Sequence, residues 1–418
     1  MTETRPDPCA SPKAGLLSVE DARARIATLL QVIEGTEQLP IRDTLDRVLA
    51  QEVISGIDVP PHDNSAMDGY ALRGVDLPAQ GEAALQLIGK AFAGTGFTGT
   101  VAAGQCVRIM TGAMIPKGAD TVIMQEQVRV EGERIHFGTG HQPGSNVRRA
   151  GEDMARGAVV LRPGHHITPA DLGVLASLGL GEVRVRRRLR VAFFSTGDEL
   201  CSVGEPLQEG QIYDSNRYTL HGMLRRLGVE LLDLGVIRDD RAAIQQAFRN
   251  ASTMADVVIT SGGVSVGEAD FVKQTLDELG QVDFWRIAMK PGKPLAFGRL
   301  GRAVFFGLPG NPVSVMATFY QFVQPALRAM MGQSPGPVMT LRLPTETPLK
   351  KAPGRTDFQR GRLVRGDDGQ LRVNSTGLQG SHVLTSMSQA DCFIILPAEC
   401  TGVAAGELVE VQPFAGLI

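Results

Sequence analysis

VAFFSTGDEL (191–200) is an apolar, aromatic run that breaks into Ser, Thr, Gly and two acids. Three later stretches repeat the design: LLDLGVIRDD (231–240), VVITSGGVSVGEAD (257–270) and AVFFGLPGNPVSV (303–315). Continuous runs of β-branched and aromatic residues that end in Gly, Asp or Ser read as buried parallel strands. Helical patterns over 216–227, 241–251 and 271–279 supply the crossovers that parallel pairing requires. In such open sheets ligands bind beyond the carboxyl ends of the strands. Segments 195–199, Asp239 with Asp240, 261–270 and 308–312 are therefore expected to share one crevice.

At 418 residues the chain is too long for a single core and predicts two to four domains. Its 43% hydrophobic and 21% charged residues fit a globular protein rather than a disordered or fibrous one. A net charge of −3 supplies no global positive field, which argues against nucleic acid and anionic membrane as partners. Any anion site must be local. The five cysteines, Cys9, Cys106, Cys201, Cys392 and Cys400, are scattered without a CxxC pair and read as reduced cytosolic thiols. No apolar stretch approaches the roughly 20 residues that span a bilayer. MTETRPDPCASPKAG (1–15) lacks a signal-peptide core.

Ser18 and Asp21 resemble a capping box opening a helix over 19–33. Short alternating segments such as ALQLIG (84–89), CVRIM (106–110) and RIHF (134–137) then predict a β-rich domain over 59–146. Residues 16–58 and 147–187 read as a connector domain, with part of the N-terminal helix packing on the α/β domain. Thr168-Pro169 opens a helix, and RVRRRLR (184–190) reads as a half-exposed strand. The α/β domain spans 188–332, and a small β domain, barrel-like, follows over 333–418.

Chemistry concentrates at the proposed strand ends. Asp198, Glu199, Asp239 and Asp270, with Asp240 beside them, repel one another unless a cation or proton intervenes, and hard oxygen donors suit Mg²⁺. Some of them equally suit helix caps and turns. The glycines of SGGVSVGEAD (261–270) allow an anion nest of backbone amides or a tight packing turn. That loop matches neither the P-loop nor GxGxxG. In WRIAMKPGKPLAFG (285–298), Arg286, Lys290 and Lys293 lie on a proline-stiffened loop suited to an oxyanion. LPGNP (308–312) makes a sharp strand-to-helix turn, with Asn311 placed to cap the helix. Asp63, Asn64, Ser65, Asp68 and Thr111 sit in polar loops that read as turns. DFQRG (357–361) and QGSH (379–382) place Arg360 and Ser381 in turns, where a guanidinium fork and a hydroxyl suit an oxyanion or simple surface structure. His165-His166 reads as a turn, and Met330-Met331 as packing.

Taken together, DNSAMDGYA (63–71), RIMTGA (108–113), RRAGEDM (148–154), STGDEL (195–200), GQIYDSN (210–216), SGGVSVGEAD, KPGKP (290–294) and GLPGNPVS (307–314) closely resemble the MoeA family of molybdopterin molybdenumtransferases, related to the E domain of gephyrin. The likeness runs from about residue 16 to the C-terminus. It implies a four-domain subunit in an elongated homodimer, with a three-layer α/β molybdopterin-binding domain. It also implies the last step of molybdenum cofactor assembly, in which adenylated molybdopterin receives molybdate and releases AMP. By resemblance, Glu199, Asp239 and Asp270 hold Mg²⁺ and the attacking water. Ser261, Gly262, Gly263, Ser265, Lys290 and Lys293 hold phosphate or molybdate, while Pro309 and Pro312 shape the pocket. Asp63 and Thr111 are expected to complete the site across the dimer interface. Asp153, Arg360 and Ser381 are further family positions. A cytoplasmic location and contacts with the molybdopterin adenylyltransferase and with chaperones of recipient molybdoenzymes follow as expectations. The competing functions are the adenylyltransferase itself and a non-catalytic, gephyrin-like scaffold.

Overall fold

The structure is a computed structural model that describes residues 15–262 and 271–414. Asp270, Gly263 and Ser265, three of the expected site positions, lie outside the described residues. Two compact units divide the chain: Gln38–Leu45 with Leu49–Val185 form the smaller, and the remaining segments, chiefly Arg186 onward, the larger.

The larger unit carries a mixed six-stranded sheet. Its strands are β1 (Arg190–Thr196), β2 (Glu230–Ile237), β3 (Val257–Ser261), β4 (Gly280–Arg286), β5 (Pro294–Leu300) and β6 (Ala303–Leu308), in the order β2-β1-β3-β6-β5-β4. The pairs β1–β2, β1–β3 and β3–β6 are parallel, and β5 is antiparallel to β6 and β4. Helix α1 (Val19–Leu29) comes from the N-terminus. Helices α2 (Ser215–Arg226), α3 (Arg241–Met254), α4 (Phe271–Leu279), α5 (Pro312–Thr318) and α6 (Gln324–Met330) follow in turn.

Alternation along the strands sorts the core into two layers. Val191, Phe193, Val257 and Ile259 pack with α1, α2 and α5, whereas Ala192, Phe194, Val258 and Phe305 pack with α3 and α4. Full burial on both faces explains why β1, β3 and β6 read as unbroken apolar runs. β2 reads the same way in sequence, yet it is an edge strand and only half-buried. Gly235, at φ +80°, bulges it, so that the register with β1 slips between Phe193 and Ser195.

Ser18 Oγ accepts the Asp21 amide at 2.9 Å and caps α1 as expected. The helix stops at Leu29 rather than at Ile33, because Ile33 is drawn into an extended path where its amide donates to the Met330 carbonyl at 2.8 Å. Between α5 and α6 the backbone widens into a π turn over Phe319–Val323. Pro325 has no N–H to give the Gln321 carbonyl, and Arg23 Nε of α1 donates to it instead at 3.2 Å.

A second sheet in this unit consists of β7 (Leu341–Pro344), β8 (Thr356–Arg365), β9 (Leu371–Ser375), β10 (Cys392–Leu396) and β11 (Leu408–Pro413). They pair in the order β9-β8-β10-β11-β7, and the two-residue strand Met289–Lys290 adds parallel to β8. Just past β7, Thr345 bridges Val373 of β9, which curls the sheet into the expected barrel-like form.

In the smaller unit a six-stranded sheet, Thr121–Met124, Gly69–Leu72, Gln105–Ile109, Ala83–Ala91, Arg134–Phe137 and Arg129–Glu131, confirms a β-rich body. It buries Tyr70, Cys106 and Ile123 on one face and Ala71, Val107 and Val122 on the other. A separate core around Leu49, Ile167, Leu175 and Val185 is roofed by the helix Pro169–Ser177. Thr168 and Asp171 cap that helix reciprocally, and His165 Nε2 lies 2.8 Å from Asp171 Oδ2.

Candidate active site at the carboxyl edge of the parallel sheet

β1 leads to α2 on one face of the sheet and β3 leads to α4 on the other, which makes the gap between their carboxyl ends a topological switch point. Thr196 and Ser261 end these two strands. Immediately beyond β1, Gly197 has φ +147°, and a Cβ there would stand 2.5 Å from Glu199 Oε2. The Glu199 carboxylate folds back over the strand end because residue 197 has no side chain.

Asp198 Oδ1 accepts the Asp239 amide at 3.1 Å, tying the loop after β1 to the loop after β2. Burial, then the negative charges of Asp198 and Glu199, hold the Asp239 carboxyl above the usual carboxylate range. Hard oxygen donors with too little positive charge among them fit Mg²⁺. Glu199 and Asp239 are the described residues that would hold it. Among the described residues no three acidic, His or Cys side chains already form a ligand array. Asp240 differs from its neighbour: its carboxylate accepts the Ala243 amide at 2.9 Å and caps α3.

The carboxyl ends of β1 and β3 also carry hydroxyls, Ser195 on one face of the sheet and Thr196 with Thr260 on the other. Ser195 Oγ, Thr196 Oγ1 and Thr260 Oγ1 are buried and have no partner among the described residues. Each such orphan costs about 1–3 kcal/mol, and strand-end orphans of this kind fit a site that meets a polar ligand. Gly262 sits at φ +91°, where a Cβ would come within 2.7 Å of the Thr196 carbonyl, so only glycine lets this loop close on β1. Asn216 Nδ2 donates to Ser261 Oγ at 2.8 Å and to the Gly310 carbonyl at 2.7 Å, joining the loops after β3 and β6. Sequence reading passed over Asn216 and the hydroxyls as individual residues. The signal was present in GQIYDSN and in the strand-end Ser and Thr.

The LPGNP turn buries Pro309 and leaves Pro312 half-covered at the start of α5. Asn311 occupies the N-cap position but makes no side-chain cap bond, and the Val313 amide at N2 donates instead to the Ser381 carbonyl at 3.1 Å. The Ser381 backbone is thus brought to the turn. Arg360 corrects its sequence reading. It lies inside β8 rather than in a turn, is 1% exposed, and spends Nε on Ser386 Oγ and Nη2 on the carbonyls of Leu378 and Gly380. Burial pulls its guanidinium down to about 10. Lys290 and Lys293 are exposed on the loop between β4 and β5, and Lys290 Nζ stands 4.0 Å from Asp357 Oδ2. Arg286, expected on the same loop, instead closes β4 as a strand residue paired with Pro294.

Three expected residues belong to the smaller unit. Asp63 accepts Arg149 Nη1 at 2.6 Å and the Ala150 amide at 2.8 Å, and the amide first, then Arg149, keep its carboxyl below the usual range. The Thr111 amide and hydroxyl both donate to Asp68 Oδ1, at 2.7 and 2.8 Å. The Asp153 amide donates to the Val59 carbonyl at 3.0 Å, and the Gly112 amide to the Ser65 carbonyl at 2.8 Å. The turns DNSAMDG, RIMTGA and RRAGEDM are therefore one hydrogen-bonded network within that unit.

Comparisons with known proteins agree with this layout. Family profiles match residues 17–179 (MoeA N-terminal region, domain I and II), 192–329 (probable molybdopterin binding domain) and 342–414 (MoeA C-terminal region, domain IV). The chain is 49% identical over 406 residues to the molybdopterin molybdenumtransferase of Haemophilus influenzae, covering 96% of this chain and all of that one. It is 35% identical to molybdopterin molybdenumtransferase 2 of Mycobacterium tuberculosis, over 94% of this chain and 98% of that one. The crystal structure of the molybdopterin biosynthesis moeA protein of Pyrococcus horikoshii superposes with a TM-score of 0.83 at 30% identity, covering 95% of this chain and 100% of that chain. With relatives matched along nearly their whole length and all three family regions in order, the chain belongs to the MoeA family.

Proposed function

We propose that this protein is a molybdopterin molybdenumtransferase, which inserts molybdate into adenylated molybdopterin and releases AMP. The observation that carries the reading is the switch-point cluster, where Glu199 and Asp239 stand at the same sheet edge as the orphaned hydroxyls of Ser195, Thr196 and Thr260. The hydroxyls and the Ser261–Gly262 backbone suit the polar body of a pterin phosphate. Lys290 and Lys293 supply the positive charge that pyrophosphate and molybdate require.

Water attacks the pyrophosphate, the bridging P–O bond breaks, and AMP leaves with one phosphate while the other stays on the pterin. Asp239, its carboxyl raised by burial and by the charges of Asp198 and Glu199, takes the proton of that water. Mg²⁺, when bound, neutralises charge on the phosphate oxygens. Asp270 joins this acid set as part of the proposal, as do Gly263 and Ser265 in the phosphate loop. Pro309 and Pro312 fix the turn that closes the pocket. Metal insertion is coupled to AMP loss, so the dithiolene sulfurs meet molybdate as they are exposed.

A homodimer, a cytoplasmic location and handover from an adenylyltransferase to molybdoenzyme chaperones complete the reading. Among the described residues no helix is long and apolar enough to cross a membrane. The test is to incubate the purified protein with adenylated molybdopterin, Mg²⁺ and low molybdate, following AMP release and activation of a molybdenum-free apoenzyme. Molybdate-dependent release with activation is expected. AMP transfer onto free molybdopterin from ATP would instead identify an adenylyltransferase, and inertness in both assays a scaffold.

A further inference from the structure

The KPGKP backbone is held firmly. Met289 is fully buried, the Ile287 amide donates to the Lys293 carbonyl at 2.7 Å, and Gly292, at φ +104°, packs so closely on Thr318 that a Cβ would stand 2.7 Å from its hydroxyl. What remains free is the four-carbon stem of Lys290, whose side chain is 50% exposed. Opposite it in the parallel register lies Asp357 of β8, a carboxylate only 3% exposed and fixed within the sheet. A second ammonium, Lys351, also bears on Asp357, but its three N–H bonds go to the carbonyls of Ala352, Ala398 and Cys400, each at 3.2 Å. Arg355 adds charge and Gln359 a polar contact. Among the described residues, Lys290 is thus the ammonium left to pair with Asp357, and Lys293 makes no ion pair.

We propose that Asp357 is a positioning residue for Lys290, holding its ammonium over the site mouth so that an incoming oxyanion meets an ordered cation. The pair stands at 4.0 Å, long enough to yield to phosphate or molybdate without a large penalty. The inference rests on the role given to Lys290 under the proposed function, and nothing in the sequence reading or the family resemblance singles out Asp357.

The test is a double-mutant cycle on the full chain with inorganic molybdate as the varied substrate. Asp357→Asn is expected to raise KM for molybdate roughly three- to fivefold while kcat changes less than about twofold. In a Lys290→Ala background the same change should have no further effect. Unchanged or tighter molybdate use, or an equal loss in both backgrounds, would overturn the proposal. Competitive acylation read by mass spectrometry needs neither turnover nor a folded variant: in the unmutated protein Lys290 should label more slowly than its neighbour Lys293, which is also exposed. Equal labelling would sink the idea even if the enzyme proves to catalyse another reaction. Absent AMP release with the labelling contrast intact would instead count against the assigned reaction and leave the pair standing.

Discussion

Asp239 and Asp240 are adjacent acids that folding has given opposite tasks. The Asp239 carboxyl is raised by burial and by the charges of Asp198 and Glu199, so the folded protein holds that proton more tightly than the unfolded chain does. Stability contributed at this position therefore falls as pH rises through the carboxyl range. Asp239→Asn removes the repulsion at neutral pH, and we expect a higher melting temperature by calorimetry together with a loss of AMP release of about 10²-fold or more. Added Mg²⁺ should stabilise the unmutated protein more than the variant. A variant that melts lower than its parent would contradict the charge argument. Asp198→Asn removes the largest neighbouring charge that raises Asp239, so the acid limb of the rate profile should move to lower pH. If the limb stays in place, Asp239 is not the group that titrates.

At the scale of elements, the same loop shows how caps share sequence with sites. Asp240 accepts the Ala243 amide and starts α3, so Asp240→Ala should cost about 1 kcal/mol in denaturant unfolding while leaving kcat near its original value. A catalytic defect exceeding the stability loss would return Asp240 to the acid cluster. This division was not legible in RDD: two neighbouring aspartates read alike until the chain direction at the helix start is known. Strands were far more legible, because burial on both faces leaves an unmistakable apolar run in β1, β3 and β6. The same signal hid the edge position of β2, since a half-buried strand beside a bulge is still written in Leu, Val and Ile. Arg360 was misplaced for a related reason. An arginine reads as surface, and only the carbonyls of Leu378 and Gly380 and the Ser386 hydroxyl, all distant in sequence, make its burial tolerable. Asn216 and Asp357 were missed because their partners, Ser261 with Gly310 and Lys290, come from other elements that no local pattern predicts.

Across the whole molecule, the thiols report on the two units separately. Burial pushes Cys106 in the smaller unit and Cys392 in the larger up to about 12, and both side chains are fully enclosed. A thiolate is the reacting form, so neither should alkylate in the native state at neutral pH, whereas the partly exposed Cys400 should. Each buried thiol becomes reactive only when its own core opens. Cys106 packs among Tyr70, Leu85 and Ile123, and Cys392 among Val373, Ile394 and Val411. Ile123→Ala removes buried methylenes beside Cys106 and should destabilise that core by about 2–5 kcal/mol. Alkylation of Cys106, followed by peptide mass spectrometry along a urea series, should then begin at lower denaturant than in the parent, while the Cys392 curve stays where it was. If both curves shift together, the two cores open as one cooperative block, and mutations in the turns around Asp63 and Thr111 would have to be judged for their effect on the acid cluster of the larger unit as well.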